Sequence, residues 1–145
     1  MKVLIKKLRT GAVTPTAGSK YAAGYDLYAC MEEGETTIQP HTAAKIGTGI
    51  SAAVPEGYFG AVFARSGLAF KQGLRPANCV GVCDSDYRGE YTVAMYNDSE
   101  VPQTVKNGER IAQLVILPCM TAEFEETELL PETGRGAGGF GSTGR

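Results

Sequence analysis

Arg135, Phe140, Ser142 and Thr143 are set among glycines that make up half of the segment from Gly134 to Arg145. Glycine lets backbone N–H groups come close to an anion, arginine offers a planar fork for phosphate, and hydroxyls add donors. The Phe140 ring can lie on a flat base. So little apolar area cannot offset the ordering cost of the glycines, so the segment cannot fold alone. The spacing predicts a flexible flap that orders over a phosphorylated, aromatic ligand. The densest polar cluster is Asp84-Ser85-Asp86-Tyr87-Arg88-Gly89-Glu90. It lies between two strand-like runs and reads as a β-hairpin presenting carboxylates and an aromatic ring. Arg65 and Ser66, at the start of the one helix-like run, would either meet anions with unpaired N–H groups or simply form a capped helix end with Arg65 in a surface ion pair.

Three superficial motif matches fail on their chemistry. Gly136, Gly138 and Gly141 satisfy the dinucleotide-binding spacing, but only four residues follow and no helix fits there. Gly136 and Gly141 have P-loop spacing, yet Ser142 stands where the lysine is required. Asp84, Asp86 and Gly89 begin like a calcium loop. Arg88 then falls at a ligand position, and Met95 replaces the bidentate glutamate.

The elements that must position these groups are short runs of β-branched and aromatic residues divided by Gly, Pro, Asn and Asp. The predicted strands are Val3–Leu8, Asp26–Cys30, Thr42–Ala53, Tyr58–Phe63, Asn78–Cys83, Tyr91–Tyr96, Gln103–Lys106, Ile111–Leu117 and Ala122–Leu129. The predicted helix has Ser66 as its N-cap and Gly73 as its closing residue. The pattern predicts an all-β fold: a jelly-roll-like antiparallel β-barrel with one short helix and a flexible Gly-rich C-terminal arm. One barrel domain spans residues 1–133, and the arm spans 134–145.

Composition narrows the functions. The chain has 145 residues, is 43% hydrophobic and 21% charged, and carries a net charge of −2. With no basic run beyond Lys6-Lys7, nucleic acid is not an expected partner. No stretch reaches the length of a membrane span, and no secretory leader is recognisable, so the expectation is a cytoplasmic protein without a membrane partner. Cys30, Cys79, Cys83 and Cys119 lack zinc-site spacing and are expected to be free buried thiols. The single histidine, His41, reads as a surface turn residue.

Five segments, in order, resemble the five motifs of the trimeric deoxyuridine triphosphatases, the dUTP nucleotidohydrolases. They are Ala23-Gly24-Tyr25-Asp26-Leu27, Arg65-Ser66-Gly67-Leu68-Ala69, Asn78 through Gly81-Val82-Cys83-Asp84-Ser85-Asp86-Tyr87-Arg88-Gly89, Gly108-Glu109-Arg110-Ile111-Ala112-Gln113-Leu114, and Arg135 through Gly144. The resemblance covers almost the whole chain. Ala64, where the family often has proline, and Cys83, where a larger aliphatic is common, are departures at apolar neighbours of the chemical groups.

The resemblance implies an enzyme that hydrolyses dUTP to dUMP and pyrophosphate by water attack on the α-phosphorus. That reaction limits uracil in DNA and supplies dUMP for dTMP synthesis. It implies Asp84 as general base and Asp26 as a holder of Mg²⁺ through water. It implies Arg65, Ser66, Gly67 and Gln113 as phosphate ligands. Arg135, Gly141, Ser142 and Thr143 would clamp the γ-phosphate while Phe140 stacks on uracil. Asn78 and backbone groups of Gly81, Val82, Cys83 and Asp84 would read the base, and Tyr87 would pack under the deoxyribose. Asp86, Arg88, Glu109 and Arg110 read as structural. A homotrimer with shared active sites is implied, each arm closing over a neighbouring subunit's site. The alternative on the same fold is a dCTP deaminase, or a bifunctional deaminase and dUTPase.

Overall fold

Twelve strands and one helix form from these short runs, and the computed structural model describes residues 1–140. Every strand pairing is antiparallel. The largest sheet runs β2 (Thr16–Ala17), β3 (Tyr25–Tyr28), β12 (Arg110–Pro118), β7 (Tyr58–Phe63), β9 (Val80–Cys83). A second has the order β5 (Ala43–Gly47), β10 (Thr92–Asn97), β8 (Leu74–Pro76). Two-stranded ribbons pair β1 (Leu4–Lys7) with β6 (Ile50–Ala53), and β4 (Glu35–Ile38) with β11 (Gln103–Lys106). The jelly-roll-like architecture expected from the sequence is present.

Alternation explains the enclosure. Along β10, Val93, Met95 and Asn97 turn inward while Thr92, Ala94 and Tyr96 are more exposed. Val93 and Met95 join Leu27, Ile38, Ile46, Ile50, Leu74, Val105 and Ile111 in one buried cluster. Asn97 is fully buried, and its amide is fully used. Nδ2 donates to the carbonyls of Ile38 and Val101 at 3.0 and 2.8 Å, and Oδ1 accepts from the N–H and hydroxyl of Ser99 at 3.0 and 2.7 Å. This satisfied amide joins β10 to β4 and shapes the turn at Asn97–Ser99.

Four expectations need correction. The run Thr42–Ala53 is two strands, because Thr48-Gly49 bends the chain and Gly49 has φ +67°. The helix α1 is Ser66–Gln72, and Arg65, not Ser66, is its N-cap, with no side-chain capping bond. The extended backbone of β7 continues through Arg65 and leaves Ser66 already helical. Gly73 closes the helix at φ 66°, as expected. Ala122–Leu129 forms no strand, for it pairs with no edge among the described residues. Of the cysteines, only Cys30 is buried; Cys83 is intermediate, and Cys79 and Cys119 are exposed. Beyond β12, Met120, Phe124, Leu129 and Leu130 stand in solvent on irregular backbone. His41 is an exposed turn residue, 3.2 Å from Glu100.

Candidate active site

The sheet β3–β12–β7 carries the first cleft, of about 660 Å³, lined by Gly24, Asp26, Arg65, Ser66, Gly67, Arg110 and Gln113 among others. β-Register explains the convergence. Gln113 on β12 faces Asp26 on β3 and Phe63 on β7, so the end of β7 delivers Arg65 beside Asp26. Arg65 Nε donates to Asp26 Oδ1 at 2.7 Å, and Arg110 Nη1 donates to Oδ2 at 3.2 Å. The Asp26 side chain is only 14% exposed, so the flanking guanidinium groups stabilise a charge largely removed from water. Arg110 thus belongs to the cleft, a contribution not recognised in its sequence reading as scaffold. Its signal was weak: one cation on a strand, three residues before Gln113.

Gln113 has a second task. Its Nε2 donates to the Ala64 carbonyl at 2.9 Å, fixing the chain just before Arg65. A Cβ at Gly24, just before β3, would collide with Gln113 Oε1, so a side chain there would push the Gln113 amide from its place. Ser66 and Gly67 open α1, where the first N–H groups have no partner within the helix. Lys71 also lines this cleft and was not anticipated.

A second cleft, of about 490 Å³, contains Asn78, Gly81, Val82, Cys83, Asp84 and Tyr87, with Lys45, Glu90 and Tyr91. The expected hairpin is absent. β9 pairs with β7, whereas β10 pairs with β5 and β8, so residues 84–91 cross between sheets. The crossing is ordered by its own polar groups. Arg88 Nη1 donates to the carbonyls of Ser85 and Tyr87 at 2.6 and 2.9 Å, which supports its structural reading. The Tyr87 hydroxyl donates to the Glu90 carbonyl at 3.1 Å, and its ring lies 6.1 Å from that of Tyr91.

Asp84 is exposed, with neither an ion pair nor a side-chain hydrogen bond among the described residues. Beside it, burial pushes the Cys83 thiol up from its ordinary pKa, and the charge of Asp84 reinforces the shift. Burial also raises the Tyr91 phenol. Asp84 therefore projects from a neutral floor. The Tyr91 hydroxyl is buried without a hydrogen-bond partner among the described residues.

The clefts are separate on one chain. Cys83 stands opposite Gly60 on β7, and Arg65 lies five residues beyond Gly60. At about 3.3 Å per residue, the two ends are roughly 16 Å apart. Arg135 and Phe140 line neither cleft. Arg135 Nε donates to the Gly138 carbonyl at 2.8 Å, and Phe140 is fully exposed. Gly141, Ser142 and Thr143 lie outside the described residues.

Known proteins resemble this chain in sequence and in fold. A family model described as dUTPase matches residues 10–144. The deoxyuridine 5'-triphosphate nucleotidohydrolase of Desulfitobacterium hafniense is 53% identical over 131 residues, covering 90% of this chain and 86% of that protein. That of Nautilia profundicola is 46% identical over 145 residues and 100% of both chains. The structure is similar to that of a mutant dUTPase of Staphylococcus bacteriophage 80alpha with dUpNHpp, with a TM-score of 0.90, 28% identity and 99% of each chain covered. Five ordered segments, two polar clefts on an antiparallel barrel and full-length relatives lead to one assignment: this chain belongs to the dUTPase family.

Proposed function

We propose that the protein hydrolyses dUTP to dUMP and pyrophosphate, with Asp84 as the general base for water attack on the α-phosphorus. The observation that carries this reading is an exposed Asp84 carboxylate, unpaired among the described residues, in one cleft with Asn78, Gly81 and Tyr87. A base needs open lone pairs and access to water, and an ion pair would lower its basicity. The water's proton passes to Asp84, its oxygen bonds to the α-phosphorus, and pyrophosphate leaves.

Asn78 supplies both donor and acceptor for the uracil edge, alongside backbone groups of residues 81–84. β9 lies tightly on β7: a Cβ at Gly81 would come 3.2 Å from Val62 Cβ. That tightness suits rejection of a base with an added methyl group. Tyr87 packs against the sugar and excludes a 2′-hydroxyl. Arg65, Ser66, Gly67 and Gln113 hold phosphate oxygens. Arg135, Phe140, Gly141, Ser142 and Thr143 complete the site from the arm.

The donor set suits Mg²⁺ in an outer-sphere role. Among the described residues no cluster of three or more acidic, histidine or cysteine side chains could enclose a metal. Asp26 already accepts from two arginines, so its remaining lone pairs would hold Mg²⁺ through water rather than directly, leaving the ion to serve the triphosphate oxygens. When bound, Mg²⁺ neutralises charge on those oxygens.

The two clefts of one chain are too far apart to hold one nucleotide's reacting phosphate together. A homotrimer in which each site joins the Asp84 cleft of one chain to the Arg65 cleft of another resolves this. The exposed Phe124, Leu129 and Leu130 favour the same arrangement, since an assembly would cover them. The arm, residues 134–145, then closes over a neighbour's site. We place the reaction in the cytoplasm, where it limits uracil in DNA and provides dUMP; among the described residues no helix is long and apolar enough to cross a membrane. The test is pyrophosphate release from dUTP, dTTP, dCTP and UTP, with and without Mg²⁺. Release confined largely to dUTP and dependent on Mg²⁺ is expected. Ammonia from dCTP, or equal turnover of all four, would refute the reading.

A further inference from the structure

Arg9 lies before the first of the five site segments and lines neither cleft. Its guanidinium nevertheless reaches the residue that ends the Asp84 crossing. Nη1 donates to Glu90 Oε1 at 2.7 Å and Nη2 to Oε2 at 2.5 Å, and Nη1 also donates to the Cys30 carbonyl at 2.5 Å. The Gly49 N–H adds a third bond to Glu90, at 2.8 Å. The fork-on-fork geometry allows little rotation of either side chain.

The surroundings are shaped to hold this clasp. A Cβ at Gly47 would come 2.7 Å from Glu90 Oε1 and 3.0 Å from Arg9 Nη1. A Cβ at Gly49 would meet Arg9 Cγ at 3.2 Å, and its φ of +67° is itself a glycine conformation. The turn between β5 and β6 therefore leaves a side-chain-free seat for the pair. Burial works against the Glu90 charge, but the bonds from Arg9 and Gly49 outweigh it and hold the carboxyl below its usual range.

Glu90 in turn seats Tyr87. The Glu90 carbonyl accepts the Tyr87 hydroxyl, and the ring folds back so closely over Gly89 that any Cβ there would collide with it. Other ties, from the Ser51 hydroxyl to the Arg88 carbonyl and from the Tyr91 N–H to the Ile50 carbonyl, hold the crossing's backbone. Arg9 is the cation that fixes the Glu90 side chain and, with it, the peptide bearing Tyr87's acceptor.

The geometry points to Arg9 as a positioning residue for nucleotide selection: through Glu90 it holds Tyr87 at the angle that excludes a 2′-hydroxyl. The inference rests on the proposed placing of Tyr87 against the sugar. Removing the clasp lets the ring swing and admits ribose, while the base and phosphate contacts stay intact. A merely stabilising ion pair would lower the melting temperature and leave sugar preference unchanged.

The test compares kcat/KM for dUTP and UTP, with Mg²⁺, in the full-length wild type, Arg9→Met, Arg9→Lys, Tyr87→Ala and the Arg9→Met/Tyr87→Ala double variant. Assays are run well below each variant's melting temperature. Arg9→Met should lower the dUTP-to-UTP ratio by about tenfold, mainly through a lower KM for UTP. Arg9→Lys keeps the charge without the fork and should fall between Arg9→Met and wild type. The double variant should match Tyr87→Ala, because a ring already removed cannot be misplaced. If Tyr87→Ala shifts the ratio and Arg9→Met does not, the clasp is only structural. If Tyr87→Ala leaves the ratio unchanged, the sugar reading falls and takes this inference with it. Additive effects in the double variant would place Arg9's influence elsewhere and overturn the proposal. Should Arg9→Met not fold, an unchanged ratio in Arg9→Lys overturns it equally.

Discussion

An exposed carboxylate above a neutral Cys83–Tyr91 floor gives Asp84 both access to water and undiminished acceptor capacity. Asp84→Asn preserves shape and a water contact but removes the proposed base, so kcat should fall by about two to four orders of magnitude with little change in substrate affinity. Steady-state kinetics on dUTP checks this, and activity within tenfold of wild type would reassign the base. The raised Cys83 thiol makes a second point. A thiolate is disfavoured there, so iodoacetamide near pH 8 should label exposed Cys79 before Cys83, as followed by peptide mass spectrometry. Equal labelling rates would show that the cleft gives Cys83 no protection. Residue types carried much of this level: the Asp84 cluster and the Arg65 turn announce themselves as unusual polar groups between apolar runs. Arg110 and Lys71 did not, since their roles arise from register and helix placement rather than from neighbouring residues.

Strands are the units that convert this local chemistry into clefts, and their legibility varied with length. β7, β10 and β12 follow clear apolar runs and appear close to the predicted bounds, and β11, though polar apart from Val105, matches its predicted bounds. β2 and β8, of two and three residues, are too short to show a period, and β4 is a polar E-T-T-I run whose partner β11 makes it a strand. The predicted hairpin failed for a long-range reason: alternation identifies a strand but does not name its partner, and β9 and β10 enter different sheets. Glu90 ties that crossing to the turn before β6, and its bonds have a pH signature. Because its folded carboxyl ionises below the ordinary value, its stabilising contribution is complete above about pH 4.3 and is lost as pH falls through the lowered value. Glu90→Gln should be about 2 kcal/mol less stable near pH 7 and show a shallower acid limb below about pH 4.3. Denaturant unfolding across that range measures both. Parallel wild-type and variant curves would mean that Glu90 does not titrate with folding.

For the whole molecule, one chain carries both halves of the proposed site without joining them. The Arg65–Asp26 cleft opens beside β3 and β12, the Asp84 cleft opens at β9, and the irregular segment after Pro118 leaves Phe124, Leu129 and Leu130 uncovered. The glycines of residues 134–145 marked a segment unable to fold alone, whereas the alternation in Ala122–Leu129 suggested a strand that finds no partner among the described residues. Local periodicity marks a strand-like run without revealing whether an edge exists to receive it. The most direct test of the account therefore mixes two inactive proteins, Asp84→Asn and Arg65→Ala. In a closed threefold ring whose sites pair the Asp84 cleft of one subunit with the Arg65 cleft of the next, every mixed trimer has one intact site. Random equal mixing makes about three-quarters of trimers mixed, so co-refolding should restore about a quarter of wild-type dUTP hydrolysis. Activity that stays at the parental background despite demonstrated subunit exchange would contradict the shared site.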